Sequence, residues 1–277
     1  MTNHIEINEW AKFVELTHKS NGWKNWVFRG QSDYSWDLKT SLERAANDLG
    51  VPLYDLPNFE QGMVRKFKRQ FAHYSNNKPV DNDYVEWLSI MQHYGCPTRL
   101  LDFSYSIFIG LFFAVINCNV GREAAVWCVD SKWLNTKYQN YGPKEYAEEL
   151  NMDKKRRYIK LNKIVLKNTS PFLYAINPYH LNKRLSIQQG IFLIPTDLTI
   201  PYMDNLKATI MGPSDRSMIK KIKIKCKQKF IDDSFYYLNR MNINDSTLFP
   251  GLDGFSRYLK MLMKVPGAIY SASREFI

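Results

Sequence analysis

The sequence predicts a single α+β domain over 1–277, helix-rich in its N-terminal half and closing in its C-terminal half on a small, mainly antiparallel sheet. Three observations predict it. Apolar residues recur at helical spacing in successive stretches up to about residue 117, and short apolar or alternating runs bounded by turn formers follow between about 124 and 227. No linker, internal repeat or low-complexity tract divides the 277 residues. With 45 % hydrophobic and 14 % aromatic residues, the chain has material for a sizeable core.

The elements follow in order. "NEWAKFVELTHKS" places Trp10, Phe13, Val14 and Thr17 on one face of an amphipathic helix. "NWVFRG" then turns to strand composition, and Gly30 ends it where the backbone must turn or let something approach closely. "SLERAANDLG" reads as a short helix with Ser41 as cap and Gly50 as stop. From Pro57 to His73, Phe59, Met63, Phe67 and Phe71 recur every four positions, with Arg65, Lys66, Lys68 and Arg69 on the other side. That basic side is either a solvated face or a contact for a polyanion. A further helix runs from Asp83 to Gln92 on Tyr84, Val85, Trp87, Leu88 and Met91.

"IFIGLFFAVI", about half the roughly 20 residues a membrane span requires, reads as a buried helix at 105–117. "AAVWCVD", "SPFLYAIN", "SIQQGIFLIP" and "SMIKKIKIKCKQ" read as strands. In the last, Ile222, Ile224 and Cys226 alternate with Lys221, Lys223, Lys225 and Lys227, which aims a lysine face at solvent and suits a sheet edge. The charged segment 135–168 is expected as a surface insertion containing a helix. Two helices around "DDSFYYLNRMNI" and "LDGFSRYLKMLMKV" close the chain.

A surplus of 38 Lys and Arg over 27 Asp and Glu gives a formal charge of +11, which attracts nucleic acid, phosphorylated cofactors or acidic surfaces, or serves solubility alone. "MTNHIEINEWAKF" lacks the basic start and apolar stretch of an export signal, so a cytoplasmic protein is expected. Cys96, Cys118, Cys128 and Cys226 are scattered without a Cys-x-x-Cys pair, and reduced thiols are expected. The histidines His4, His18, His73, His93 and His180 show no metal-ligand spacing, so no metal is expected. Phosphate-loop and nucleophile-elbow patterns are missing, which removes the standard kinase and hydrolase readings.

Three groups remain. In "WVFRGQ", Arg29 ends an apolar run as either a structural ion-pair partner or a ligand holder. "MQHYGCPTRLLDFS" is polar where the chain ought to cross the core: His93 and Tyr94 end a helix, Gly95 and Pro97 force a turn, and Thr98, Arg99 and Asp102 follow. Arg99 and Asp102 stand close enough in sequence to pair, while Asp102 or Ser104 could equally cap the coming helix. In "RLSIQQGIF", Gln188, Gln189 and Gly190 interrupt a strand, as a bulge or a point of ligand approach.

Together with "LFPGLDG" at 248–254, these strings resemble the FRG family, named for its Phe-Arg-Gly motif, over a motif core of about 20–260. The family occurs in bacteria and prophages, in defence and toxin settings. More distantly, the order of an arginine on an early strand, His-Tyr on a second element and a polar residue on a later strand is similar to that of ADP-ribosyltransferases. That resemblance implies NAD as substrate, with ADP-ribose transferred to a protein or nucleic acid, or NAD hydrolysed. It implies Arg29, His93, Asp102 and Gln188 as catalytic residues. Arg29, Gly30, Gln31, His93, Tyr94, Thr98, Arg99 and Gln189 are the implied cofactor-binding set, Arg29 holding pyrophosphate or ribose and Tyr94 stacking. Between Glu149 and Glu275 there is no glutamate, so Gln188 or Gln189 stands where such transferases carry a late acid. The alternatives are a basic nucleic-acid-binding module and a phage-sensing domain, with an antitoxin or phage protein as partner and no membrane.

Overall fold

A computed structural model describes residues 5–19, 23–75, 78–142, 165, 167, 170–178, 180 and 182–263. Its centre is a seven-stranded mixed sheet of β1 (Ile5–Ile7), β2 (Trp26–Gln31), β3 (Leu101–Ser104), β4 (Glu123–Asp130), β5 (Leu173–Ile176), β6 (Gly190–Pro195) and β7 (Ile219–Lys225). The order is β1-β7-β4-β2-β3-β6-β5. Among the described residues only the β1–β7 pair is parallel. Four of the seven strands precede residue 131, so the expected division into a helical first half and a sheet-forming second half does not hold. The two strands missed by pattern, β1 and β3, are three and four residues long, too short to display alternation.

Helices cover both faces. Those before β5 are α1 (Trp10–Lys19), α2 (Ser41–Leu49), α3 (Leu56–Phe71), α4 (Tyr84–His93), α5 (Ile107–Val115) and α6 (Ser131–Tyr141). After it come α7 (Lys183–Ile187), α8 (Tyr202–Thr209), α9 (Gln228–Arg240), α10 (Asp245–Leu248) and α11 (Leu252–Leu262). α5 is apolar all round and is sandwiched among α1, α9 and the sheet residues Phe28, Val126, Ile222 and Ile224. α6 and α8 pack Leu134, Tyr202 and Leu206 on the opposite face against Val27, Leu101, Phe103 and Leu193. α3 and α4 bring Val64, Trp87, Leu88 and Met91 onto Tyr174, Ile176, Phe192 and Ile194 at the β6–β5 end. Each large apolar side chain so buried contributes roughly 1.5–3 kcal/mol before entropy is counted.

Several local expectations are corrected. Thr40, not Ser41, caps α2 by accepting the Glu43 N–H, and Ser41 instead ties that helix to the Thr98 main chain. Gly50 does stop it, at φ 67°. Ser106, rather than Asp102 or Ser104, caps α5. The lysine stripe of β7 lies on no edge, because β1 pairs alongside it. Nor is that stripe simply solvated: Lys223 and Lys225 pair with Glu123 and Glu6 at 3.0 and 2.7 Å, and Lys221 lies 4.6 Å from the ring centres of Tyr34 and Trp127.

The segment 135–168 begins within α6, which buries Leu134 and Tyr138; 143–164 lie outside the described residues. Asn135 of that helix also covers the β5 edge, accepting the Ala175 N–H at 3.0 Å and donating to its carbonyl at 3.2 Å. Cys118 and Cys226 form a disulfide across 108 residues, against the expectation of reduced thiols, while Cys96 and Cys128 are free. The pair is invisible in sequence because it exists only where the chain leaving α5 meets the end of β7. No helix among the described residues is long and apolar enough to cross a membrane.

Candidate functional site

β2 pairs with β4 along six residues but with β3 only through Phe28 and Ser104. Beyond that bridge the two central strands part, and the split opens a cleft of about 920 Å³. β2 contributes Arg29, Gly30 and Gln31, β3 contributes Asp102 and Ser104, α2 contributes Arg44 and Asn47, and α7 with the turn after it contributes Arg184 and Gln188. Trp36, about half exposed, lies in the loop along one wall, and Phe113 of α5 along another. Lys221 donates to the Trp36 carbonyl at 3.0 Å, which holds that loop.

Arg29 is half-buried. One Nη donates to the main-chain carbonyl of Asp102 at 2.8 Å, and its buried Nε–H has no partner. Burial draws its pKa below the ordinary guanidinium value; the Asp102 charge opposes that shift and Arg44 reinforces it. Arg44 itself donates to the Lys39 carbonyl at 2.7 Å, and Arg184 rests against the Phe249 ring. Among the described residues no carboxylate lies within ion-pair distance of Arg29, Arg44 or Arg184, so the three guanidinium groups line the cleft unpaired, although Asp37, Asp48 and Asp102 share its lining and the Asp102 charge reaches Arg29 and Arg184. Beneath it, Tyr202 carries a second buried, unpartnered polar atom beside Arg29, its phenol pushed far up by burial.

Asp102 is exposed to the cleft, with one carboxylate oxygen accepting the Gln92 amide at 2.8 Å. Gln92 in turn accepts the Thr98 hydroxyl. The expected Arg99–Asp102 pair is absent: Arg99 is buried against Glu60, Nε and Nη2 reaching the same oxygen at 2.7 and 2.5 Å. Thr98 is likewise buried, its main chain bonded to Ser41, so neither it nor Arg99 faces a ligand. Gly30 admits helix α5, not a ligand, since a Cβ there would lie 2.1 Å from the Gly110 oxygen. Gln31 lines the cleft, but its amide accepts from Trp127 Nε1 at 2.7 Å and donates to the Asp37 carbonyl at 3.1 Å.

Gln188 and Gln189 do not sit in a strand. They end α7, and β6 begins at Gly190, where a Cβ would collide with Leu185. Gln188 is buried and lines the cleft, its amide donating to the Leu248 carbonyl at 2.9 Å, whereas Gln189 is exposed at φ 46°. His93 ends α4 beside an adjoining depression of about 50 Å³ that shares Asp102, Arg184 and Gln188 with the main cleft. Burial, with repulsion from Arg184, lowers its pKa, so the ring is neutral near pH 7. Tyr94, 71 % exposed, stands edge-on to His93 and lines neither space.

The fold therefore brings Arg29, Asp102 and Gln188 to one cleft, with His93 at its margin. It adds Arg44 and Arg184, which sequence reasoning passed over. Arg184 stood inside the "RLSIQQGIF" string; nothing in the local pattern around Arg44 marked it. Residues 24–123 match the FRG domain. That span is an FRG domain. No curated protein and no solved structure matches it. The matched span of the FRG domain reaches from just before β2 to the first residue of β4, so it holds Arg29, Arg44, His93 and Asp102, while Arg184 and Gln188 lie beyond it.

Proposed function

We propose that the FRG cleft binds a nucleotide through its diphosphate, that NAD is the substrate, and that ADP-ribose passes to a protein or nucleic acid, or to water. In this reading the chain is an ADP-ribosyltransferase-like effector in bacterial or phage defence. The observation that carries the reading is the convergence of Arg29, Arg44 and Arg184 on one cleft without carboxylate partners. The guanidinium groups of Arg29 and Arg184 are held partly out of water, which is costly until an anion joins them, while Arg44 is exposed; the planar forks of all three match phosphate oxygens. A cleft of about 920 Å³ stands at the upper end of ordinary ligand sites, roughly 300–1,000 Å³, and suits a dinucleotide. Trp36 and Phe113 bring aromatic side chains to the lining, the kind of surface against which a base packs.

Breaking the bond between nicotinamide and ribose sends the electron pair out with nicotinamide and leaves positive charge on the ribosyl carbon and ring oxygen. A carboxylate preorganised nearby stabilises that charge. Asp102 supplies it, exposed in the cleft and steered by the Gln92 amide. Gln188 has no charge to give, and one of its two amide hydrogens is held by the Leu248 carbonyl; it serves as wall. Neutral His93 is suited to accept the proton of the incoming nucleophile.

The nucleic-acid alternative draws less support, because Glu6 and Glu123 compensate two lysines of the β7 stripe and exposed Arg65, Lys66 and Arg69 on α3 remain as its basic surface. Incubation with NAD and measurement of released nicotinamide tests the proposal. Turnover should fall about a hundredfold or more in Arg29→Ala and Asp102→Asn with the fold intact. No nicotinamide release by the unaltered protein, with no ADP-ribose on any acceptor, would defeat it.

A further inference from the structure

Arg184 reaches the cleft from outside the matched span, and its placement depends on the "LFPG" segment far along the chain. Its guanidinium carbon lies 4.6 Å from the centre of the Phe249 ring, and Arg257 lies 4.6 Å from that same ring. The two cations differ in what else they meet. Arg257 Nε bonds the buried carboxylate of Asp245 at 3.2 Å, whereas Arg184 has no carboxylate within ion-pair distance among the described residues.

The ring itself is fixed. Phe249 stands edge-on to Phe113 of the cleft wall at 6.0 Å, and the preceding residue, Leu248, accepts the Gln188 amide at 2.9 Å. Gln188 in turn donates its main-chain N–H to the Arg184 carbonyl at 2.9 Å. Arg184 thus lines both the main cleft and the depression of about 50 Å³ beside it, where Ser89, Gln92, His93 and Asn182 add uncharged hydrogen-bonding groups and Asp102 a carboxylate.

We propose that Arg184 is a second anion-holding corner of the cleft, kept in place by Phe249, and that it takes a phosphate oxygen of the same diphosphate-bearing ligand. The proposal rests on reading the cleft as a nucleotide site. A guanidinium lying on an aromatic face keeps its N–H groups free for an anion while the ring limits its rotamers, so less order is lost on binding. Phe249 is accordingly a positioning residue, and the C-terminal segment has a part in ligand binding that the matched span alone does not contain.

Calorimetric titration with inorganic pyrophosphate, and separately with ADP-ribose, tests this in the full chain. Arg184→Ala and Phe249→Leu should each weaken pyrophosphate about tenfold, and the double variant should be no weaker than Arg184→Ala alone. Phe249→Tyr, which keeps the ring, should bind as the unaltered protein does. Arg44→Ala combined with Phe249→Leu should multiply the two losses, because these side chains act at different corners. Unchanged affinity in Phe249→Leu, multiplied losses with Arg184→Ala, or no recovery in Phe249→Tyr would overturn the proposal. Pyrophosphate binding with this pattern but without NAD turnover would remove the NAD chemistry and leave the Arg184 corner standing; no pyrophosphate binding by the unaltered protein would remove both.

Discussion

Arg29 and Arg99 stand in neighbouring motif strings yet end in opposite environments. Each keeps one buried guanidinium nitrogen unmatched, but Arg99 is fully enclosed and shares two guanidinium contacts and its main-chain N–H with the Glu60 carboxylate, whereas Arg29 meets one main-chain carbonyl and no carboxylate within ion-pair distance. Removing one partner of an enclosed ion pair leaves the other charge without water or counter-charge. Glu60→Ala should therefore cost about 3–5 kcal/mol in urea unfolding. Arg29→Ala, which deletes one hydrogen bond and relieves a desolvated charge, should stay within about 1 kcal/mol. Equal losses in the two variants would mean that Arg29 is as structural as Arg99. The Arg99 partner was not legible in sequence, because the apolar row on α3 points to Phe59 while the helix turns Glu60 inward. An apolar-pattern reading has no way to recognise a carboxylate on the buried face.

At the scale of elements, α5, which lines one wall of the cleft, lies hard against β2. Gly30 and Gly110 let the two backbones meet: a Cβ on Gly30 would fall 2.1 Å from the Gly110 oxygen and 2.3 Å from the Ala114 nitrogen, and none of those atoms can swing away. Gly30→Ala should destabilise by about 2–3 kcal/mol through overpacking, more than Gly50→Ala, whose left-handed φ of 67° costs about 1 kcal/mol with open space around it. Thermal midpoints of the two variants check the order. The glycine was legible as special, but the neighbour it admits was not.

α3 and β7 were legible because burial imposes its period over many residues, and α5 and β4 because each is an unbroken apolar run. β3 was hidden by its four-residue length and by the exposed Asp102 at its second position. α7 was hidden because its five residues, "KRLSI", are too few to show a helical period and only the turn residues Gln188 and Gln189 separate them from the apolar β6. The cleft was legible through Arg29, Asp102 and Gln188, and its completion by Arg44 and Arg184 depends on helix placements that no local pattern encodes.

For the whole molecule, acid should be the weak point. Asp215, in the turn before β7, gathers α6 onto that end of the sheet: its oxygens accept from Trp133 Nε1, Lys137 Nζ and the N–H groups of Met211 and Gly212, all between 2.9 and 3.0 Å. Burial pushes its pKa up, but those donors outweigh burial and hold it at about 2. An unfolded aspartate titrates near pH 3.9, so the folded form binds its proton less readily than the unfolded form. The stability this contributes is complete above the unfolded value and is lost as pH falls through the folded one. Asp215→Asn should cost about 1–2 kcal/mol at neutral pH, with the deficit narrowing steadily below about pH 4. The chain is already at +11, and every carboxylate protonated on the way adds to its self-repulsion, so salt should shift acid unfolding to lower pH by screening. Urea midpoints followed from neutral to acid pH, at low and high salt, separate the two effects. A deficit in Asp215→Asn that is the same at pH 7 as in acid would show that the four donors hold the turn by shape alone and that the charge of Asp215 contributes nothing.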